Sequence, residues 1–314
     1  MIVVIGAGLA GLTYAHKAVK NGEKVEVWEK SQVLGSKPCG EAILYNALDY
    51  LPLSEREKSD VTLNSIKRVR LKFPDGLPER VINVSGAVMV DKRRLLETLA
   101  EVVESEGVKV LRGKPFTRDA KLDADIIVDA SGFVRVTHVG EGTVAPVLRG
   151  YHRSTGVINN DELLVEFDSE GMGYFWVFPY GDNYNVGFGG LYPSSTLRVE
   201  LGHYLTKYGL NNPYDVRGAG IVVSGPVKQR RDYVGNIPVI RIGESAGMVN
   251  PLLGEGNREA ILDALGDADI RRRVKNASTV FKIIARVGIR QAFWLASKLS
   301  DKELEDVLEG RRTL

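Results

Sequence analysis

Ten residues at the start of the chain, IVVIGAGLAG, leave few options for the fold. Ile2 to Ile5 form an apolar, β-branched run, which reads as a buried strand. Gly6, Gly8 and Gly11 follow it. Leu9, Leu12, Ala15, Ala18 and Val19 then share one face of a helix, and Gly22 is placed to stop it. KVEVWE reads as a second strand ending in Glu29. Glycines at this spacing, between a strand and a helix of one βαβ unit, predict a dinucleotide site. Gly6 permits the tight turn, Gly8 admits a pyrophosphate to the backbone, and Gly11 lets helix and strand lie close. The helix N-terminus offers free N–H groups to phosphates. Glu29, 21 residues beyond Gly8, is placed to accept hydrogen bonds from a ribose. A glycine-rich turn in some other α/β protein is the plainer alternative.

The rest does not continue as one nucleotide domain. SIKRVRLKF and RVINVSGAVMV read as strands around the turn PDG. DKRRLLETLAEVVESEG reads as a helix with Leu95, Leu96, Leu99, Val102 and Val103 on its face and Gly107 at its end. VKVLRG and ADIIVDASG read as parallel-type strands. Residues 145–235 are short aromatic runs split by Gly, Asn, Asp and Pro, the pattern of an antiparallel sheet. IPVIRIGESAG returns to a buried strand, and the last part is helical. The expected fold is therefore α/β: a Rossmann-like domain interrupted by a mostly antiparallel β-sheet domain, with a short helical C-terminus. The expected dinucleotide domain is 1–60, 85–144 and 236–275. The β-sheet domain is 61–84 and 145–235, and the helical segment is 276–314.

Composition excludes several classes. The 314 residues are 44% hydrophobic and 26% charged with a net charge of +2, so no nucleic-acid partner is indicated. One cysteine cannot form an internal disulfide, which fits a reducing, cytoplasmic compartment. No signal peptide and no membrane span are expected. The four histidines, His16, His138, His152 and His203, lack metal-ligand spacing, so no metal is expected.

The glycine loop with Glu29, then VDASG (Asp129 to Gly132), then IGESAG (Gly243 to Gly247) resemble the three FAD signatures of flavoprotein reductases and hydroxylases. KPCGEA at 37–42, YFWVFPYGDNYNVGFG at 174–189 and GESAGMVNPLLGEG at 243–256 are similar to geranylgeranyl reductases, above all the archaeal ones. The resemblance covers nearly the whole chain to about residue 270. It implies an FAD-dependent reductase of carbon–carbon double bonds in prenyl lipids. Gly6, Ala7, Gly8, Leu9, Ala10, Gly11, Glu29 and Lys30 would hold the ADP half of FAD. Lys92, Ala130, Ser131, Gly132, Gly243, Glu244 and Gly247 would meet its middle. Pro38, Cys39, Gly40, Gly254, Glu255, Gly256 and Asn257 would lie beside the flavin. Tyr174, Trp176, Phe178, Pro179, Asn185 and Gly187 would form the substrate wall. Tyr174, Trp176 and Phe178 alternate and so share one strand face.

Four positions depart from the family pattern: Glu244 where Asp is usual, Lys92 where Arg is, Tyr180 where Lys is, and Asn257 where Ile is. Family members also extend further at the C-terminus. The lone Cys39 sits in the loop that lies against the flavin in the family; contact, proton delivery and redox tuning are all open to it. Glu41 reads as a local acid or as a solvated loop charge. STVFKIIARVGIRQAFWLASKL, with Phe281, Ile284, Phe293, Trp294 and Leu295 among Lys282, Arg286 and Arg290, reads as core packing, with a membrane surface as the alternative. The implied partners are a prenyl lipid and an electron donor, a ferredoxin or a reduced nicotinamide. Two other readings stand beside this one. An oxygen-using hydroxylase or halogenase would match the aromatic strand in part, where Tyr174, Trp176, Phe178 and Pro179 stand in place of W-x-W-x-I-P. A diverged FAD-binding protein without prenyl reductase activity would account for the departures.

Overall fold

A computed structural model describes residues 1–74, 76–120, 122–138, 142–168, 170, 173–227 and 232–313. Asp75, in the expected PDG turn, lies outside them, as do four residues near the end of the 145–235 stretch.

The strands are β1 (Ile2–Ile5), β2 (Val25–Glu29), β3 (Ala42–Ile43), β4 (Thr62–Lys72), β5 (Arg80–Val90), β6 (Lys109–Arg112), β7 (Ile126–Asp129), β8 (Val144–Arg153), β9 (Glu162–Phe167), β10 (Tyr174–Tyr180), β11 (Asn183–Gly189), β12 (Tyr214–Val222), β13 (Asp232–Val234) and β14 (Ile237–Arg241). The helices are α1 (Leu9–Lys20), α2 (Glu55–Val61), α3 (Lys92–Ser105), α4 (Ser194–Lys207), α5 (Asn257–Leu265), α6 (Ala268–Val287), α7 (Ile289–Ala296) and α8 (Asp301–Leu308).

Two sheets organise them. The first runs β13-β14-β7-β1-β2-β6, with β14, β7, β1, β2 and β6 parallel. Fully buried Val4, Val27 and Val128 pack on one face against Leu12 and Ala15 of α1 and Leu95 and Leu99 of α3. Both faces of such a sheet are covered, so its strands are continuous apolar runs. The second sheet runs β12-β8-β11-β10-β9-β4-β5-β3. It is antiparallel except that β4 pairs with β9 in parallel. Helix α4 covers one face of it, burying Leu197, Leu201, Tyr204 and Leu205 against Phe175, Val177 and Phe188. That leaves the opposite face for the site.

Sheet membership moves three expected boundaries. Strand β5 stays in the second sheet to Val90, and β3 joins it at Ala42 and Ile43, because β4 and β5 pair along almost their whole length. Strand β13 already belongs to the first sheet, paired with β14. Helix α6 starts at Ala268, capped by the Asp267 side chain, so position 276 falls within it. The helical run 278–299 is two helices, since Gly288 at φ +93° ends α6. Helix α4 interrupts the stretch expected to be sheet. Its apolar residues at 197, 201, 204 and 205 keep helical spacing, a signal masked by the surrounding glycines.

Candidate functional site

The three glycines of the opening turn have three different surroundings. A Cβ on Gly6, at φ +103°, would stand 2.6 Å from the Ala130 carbonyl oxygen; one on Gly11 would stand 2.0 Å from that of Gly6. Those two are glycine because the first sheet and α1 close on them. A Cβ on Gly8 would meet no protein atom within 4 Å. Gly8 precedes α1, whose first turn carries no acid and whose N-terminus has no side-chain cap. A helix end left this way favours an anion. The Glu29 carboxylate is fixed beside it, accepting from Ala7 N at 2.9 Å and Ser31 N at 2.8 Å.

From this turn one cavity of about 440 Å³ extends between the two sheets. It brings together most of the expected residues: Gly6 to Ala10, Glu29, Lys30, Pro38 to Gly40, Lys92, Ala130 to Gly132, Glu244, Gly254 to Asn257, and Tyr174, Trp176 and Phe178. Six expected residues do not line it: Gly11, Gly243, Gly247, Pro179, Asn185 and Gly187. Each has a packing reason. Gly11 lies against Gly6. The Gly243 N–H donates to Asp263 at 2.8 Å. A Cβ on Gly247 would stand 2.1 Å from the Gly225 carbonyl oxygen. Pro179 pairs with Tyr184, one residue out of step with the alternating aromatics. Gly187 makes room for the Trp176 indole, from which a Cβ would stand 2.2 Å.

Asn185 acts from behind the wall. It is fully buried, and its Oδ1 accepts from Trp176 Nε1 at 2.9 Å. Its Nδ2 donates to the Cys39 carbonyl and to Glu41 Oε2, both at 2.9 Å. So β11 ties the aromatic strand to the cysteine loop. Gly40 then passes over Phe178, where a Cβ would stand 3.1 Å from the ring. The Cys39 thiol faces Asn257 Nδ2 at 3.6 Å and Lys92 Nζ at 4.0 Å. Tyr174 completes the frame: its hydroxyl donates to the Leu253 carbonyl at 2.7 Å, over Gly254. The rings of Tyr174, Trp176 and Phe178 follow one another at 6.0 and 6.2 Å.

Glu244 ion-pairs with Lys37 and accepts from Val222 N at 3.2 Å. Glu255 lines the cavity from a buried charged network. Burial, and then the charge of fully buried Glu259, push its carboxyl up; Arg258 opposes this. The backbone N–H groups of Leu44 and Arg258 face that carboxyl, with no aligned bond to either oxygen. Arg258 donates to Glu259 at 2.9 Å and lies 3.7 Å from buried Glu309.

Sequence reasoning missed two parts of the lining. One is the aliphatic wall of Val69, Leu71, Ile82, Val84, Leu163 and Val165, from β4, β5 and β9. Its period-2 spacing was readable, but which face met the site was not. The other is Arg149, buried on β8, stacked 4.2 Å over Tyr151 and paired with Asp215 at 3.3 Å. A smaller apolar cavity of about 70 Å³ adjoins the first, sharing Leu71 and Leu308 and lined by Val280, Ile284 and Phe293. No group of three His, Cys, Asp or Glu among the described residues is placed to hold a metal.

Residues 4–37 match the NAD(P)-binding Rossmann-like domain. A digeranylgeranylglycerophospholipid reductase of Methanococcus vannielii is 28% identical over 298 residues, covering 81% of this chain and 72% of that one. The chain is similar in sequence to reductases of that name. Among solved structures, a geranylgeranyl bacteriochlorophyll reductase-like protein of Thermoplasma acidophilum matches the chain with a TM-score of 0.74 at 19% identity, over 100% of this chain and 92% of its own. A flavin-dependent brominase matches at 0.64 and 16% identity, over 89% and 78%. The fold is shared with these proteins, and the glycine turn lies within the stretch that matches the NAD(P)-binding Rossmann-like domain.

Proposed function

We propose that the protein is an FAD-dependent reductase of carbon–carbon double bonds in geranylgeranyl chains of lipid precursors. The observation that carries this reading is the continuity of the cavity. One end is the glycine turn with Glu29; the other is walled by aliphatic and aromatic side chains that suit a hydrocarbon chain, with Glu41 and Arg149 among them. Gly6 to Gly11 and Glu29 would hold the adenosine and pyrophosphate, and Ala130 to Gly132 and Glu244 the middle of the cofactor. Bound and reduced, FAD supplies the hydride equivalent. The chain's own residues bind, orient and dry the substrate. Trp176 and Phe178 line the space for the chain, and Asn185 fixes the loop that carries Cys39. Electrons reach the site from a ferredoxin or a reduced nicotinamide. The oxygen-using alternative has the shared fold and a partial match at the aromatic strand in its favour.

The lipid is taken from an anionic membrane surface in this reading. From Ile270 to Ser300 there are eight Lys or Arg and no Asp or Glu; of these, Arg271, Arg272 and Arg273 pair with Asp263, Asp269 and Glu309. On α6 and α7, Ile283, Val287, Trp294 and Leu295 face outward, while Ile284 and Phe293 of the same helices line the smaller cavity. Apolar side chains among cations suit an anionic bilayer. No helix among the described residues is long and apolar enough to cross a membrane. The test is mass spectrometry of a geranylgeranyl phospholipid incubated with the reduced protein. A gain of two hydrogens per bond supports the reading; an unchanged lipid refutes it.

A further inference from the structure

We propose that Glu41 is the proton donor of this site, and that Tyr151 and Tyr180 return the proton to it from the surface. This rests on the reductase reading above. Saturating one C=C bond takes a hydride equivalent at one carbon, from the reduced flavin, and a proton at the other. Glu41 gives up its carboxyl proton to form the new C–H bond and is left as a carboxylate. The Tyr151 O–H then transfers its proton to Glu41 while Tyr180 replaces it from solvent. Moving in one concerted shift, neither hydroxyl is left as a phenolate.

The placement of Glu41 is unusual. It lines the cavity, is 5% exposed, and has a backbone φ of +63°, where a side chain is disfavoured. Such strain persists where surrounding contacts over-determine it. Here the Glu41 carbonyl accepts from Val90 N at 3.0 Å, and its N–H points at Cys39 Sγ at 3.3 Å. Its carboxyl accepts from the Tyr151 hydroxyl at 2.7 Å and from Asn185. Burial pushes the carboxyl up. The bonds from Tyr151 and Asn185 and the charges of Arg149 and Lys92 act against burial without cancelling it.

A route leads outward from this carboxyl. The Tyr180 ring lies 4.8 Å from that of Tyr151. Both rings are half-buried, Asp91 is near Tyr180, and exposed Tyr214 lies 5.8 Å from Tyr151 on the other side. Glu255, the other cavity carboxyl held up by burial, is enclosed by Tyr45, Arg258 and Glu259.

The test uses the FAD-loaded protein carrying Glu41→Gln, Tyr151→Phe, Tyr180→Phe or Glu255→Gln. The first readout is infrared absorption of protonated carboxylic acids at neutral pH. Glu41→Gln removes one component of the band, and its loss from the wild type on raising pH tracks the activity. The second is the anaerobic rate at which geranylgeranyl phospholipid reoxidises the reduced flavin. Glu41→Gln lowers it about 100-fold, within the range for a lost general acid. Tyr151→Phe lowers it about tenfold and reduces the solvent deuterium effect, and Tyr180→Phe acts in the same direction. The wild-type rate falls as pH rises, since only the protonated carboxyl donates, and this limb vanishes in Glu41→Gln. If the wild type is never reoxidised by the lipid, the reductase reading falls and this proposal with it. If the wild type is reoxidised but Glu41→Gln keeps its rate and pH limb, or Glu255→Gln loses them instead, only the assignment of Glu41 is overturned.

Discussion

The indole of Trp176 and the carbonyl of Cys39 are bound to the same side chain, the amide of Asn185, on opposite sides at 2.9 Å each. A cavity wall and the cysteine loop thus share one buried polar group. Asn185→Ala leaves the Trp176 N–H and the Cys39 carbonyl without that partner. The expected cost is about 1–3 kcal/mol of stability per group left unsatisfied, with an altered spectrum of bound flavin. Thermal melts and absorbance of the loaded variant check both.

Gly8 and Gly11 separate binding from folding. Gly8→Ala adds a methyl that touches no protein atom, so the cofactor-free melting temperature stays near wild type while cofactor affinity falls at least tenfold. Gly11→Ala sets a methyl 2.0 Å from the Gly6 carbonyl oxygen. Overpacking of this kind costs about 1–3 kcal/mol or more, so it lowers the melting temperature without cofactor. Calorimetry with flavin titration reads the two effects apart.

The aliphatic wall sets the chain length that fits. Leu163→Trp and Val165→Trp fill the cavity on the β9 side without touching the glycine turn. FAD binding is then retained, reduction of a geranylgeranyl chain drops, and a shorter prenyl chain is affected less. Product analysis across chain lengths checks the order.

Buried carboxyls make stability fall with pH. Burial, and then the charge of Glu259, push the Glu255 carboxyl up to about 8 in the fold, against about 4.5 when unfolded. A raised value means the folded state holds the proton longer. Its contribution is therefore full below about 4.5 and lost as pH rises through about 8. Glu255→Gln removes that decline. Denaturant midpoints from pH 5 to 9 check it: the wild type weakens across the range and the variant stays flatter.

Vesicle binding tests the basic face of α6 and α7. Flotation with anionic vesicles is expected to carry the wild type, and neutral vesicles are not. Trp294→Ser with Leu295→Ser weakens it several-fold, since both side chains are exposed and removing them opens no cavity.

Much of this was legible in the sequence because local rules agree there. Strand, glycines, helix and acid followed one another, and β1, α1 and β2 form around Gly6, Gly8 and Gly11 with Glu29 at the end of β2. The alternation of Tyr174, Trp176 and Phe178 also gave a shared face. Long-range pairing was not legible. No local signal tells that β4 lies parallel to β9, that Asn185 braces the wall instead of lining it, or that Tyr151 reaches Glu41 across 110 residues. Pro179 was misplaced for a simpler reason: it sits one residue out of the period that the aromatics keep.

The central claim is tested most directly without oxygen. The FAD-loaded protein is bleached with dithionite, a geranylgeranyl phospholipid is added, and the flavin absorbance is followed. Return of the yellow colour, with the lipid gaining two hydrogens per flavin reoxidised, is the result predicted. Flavin that stays bleached with the lipid and recovers only when air is admitted would contradict the account.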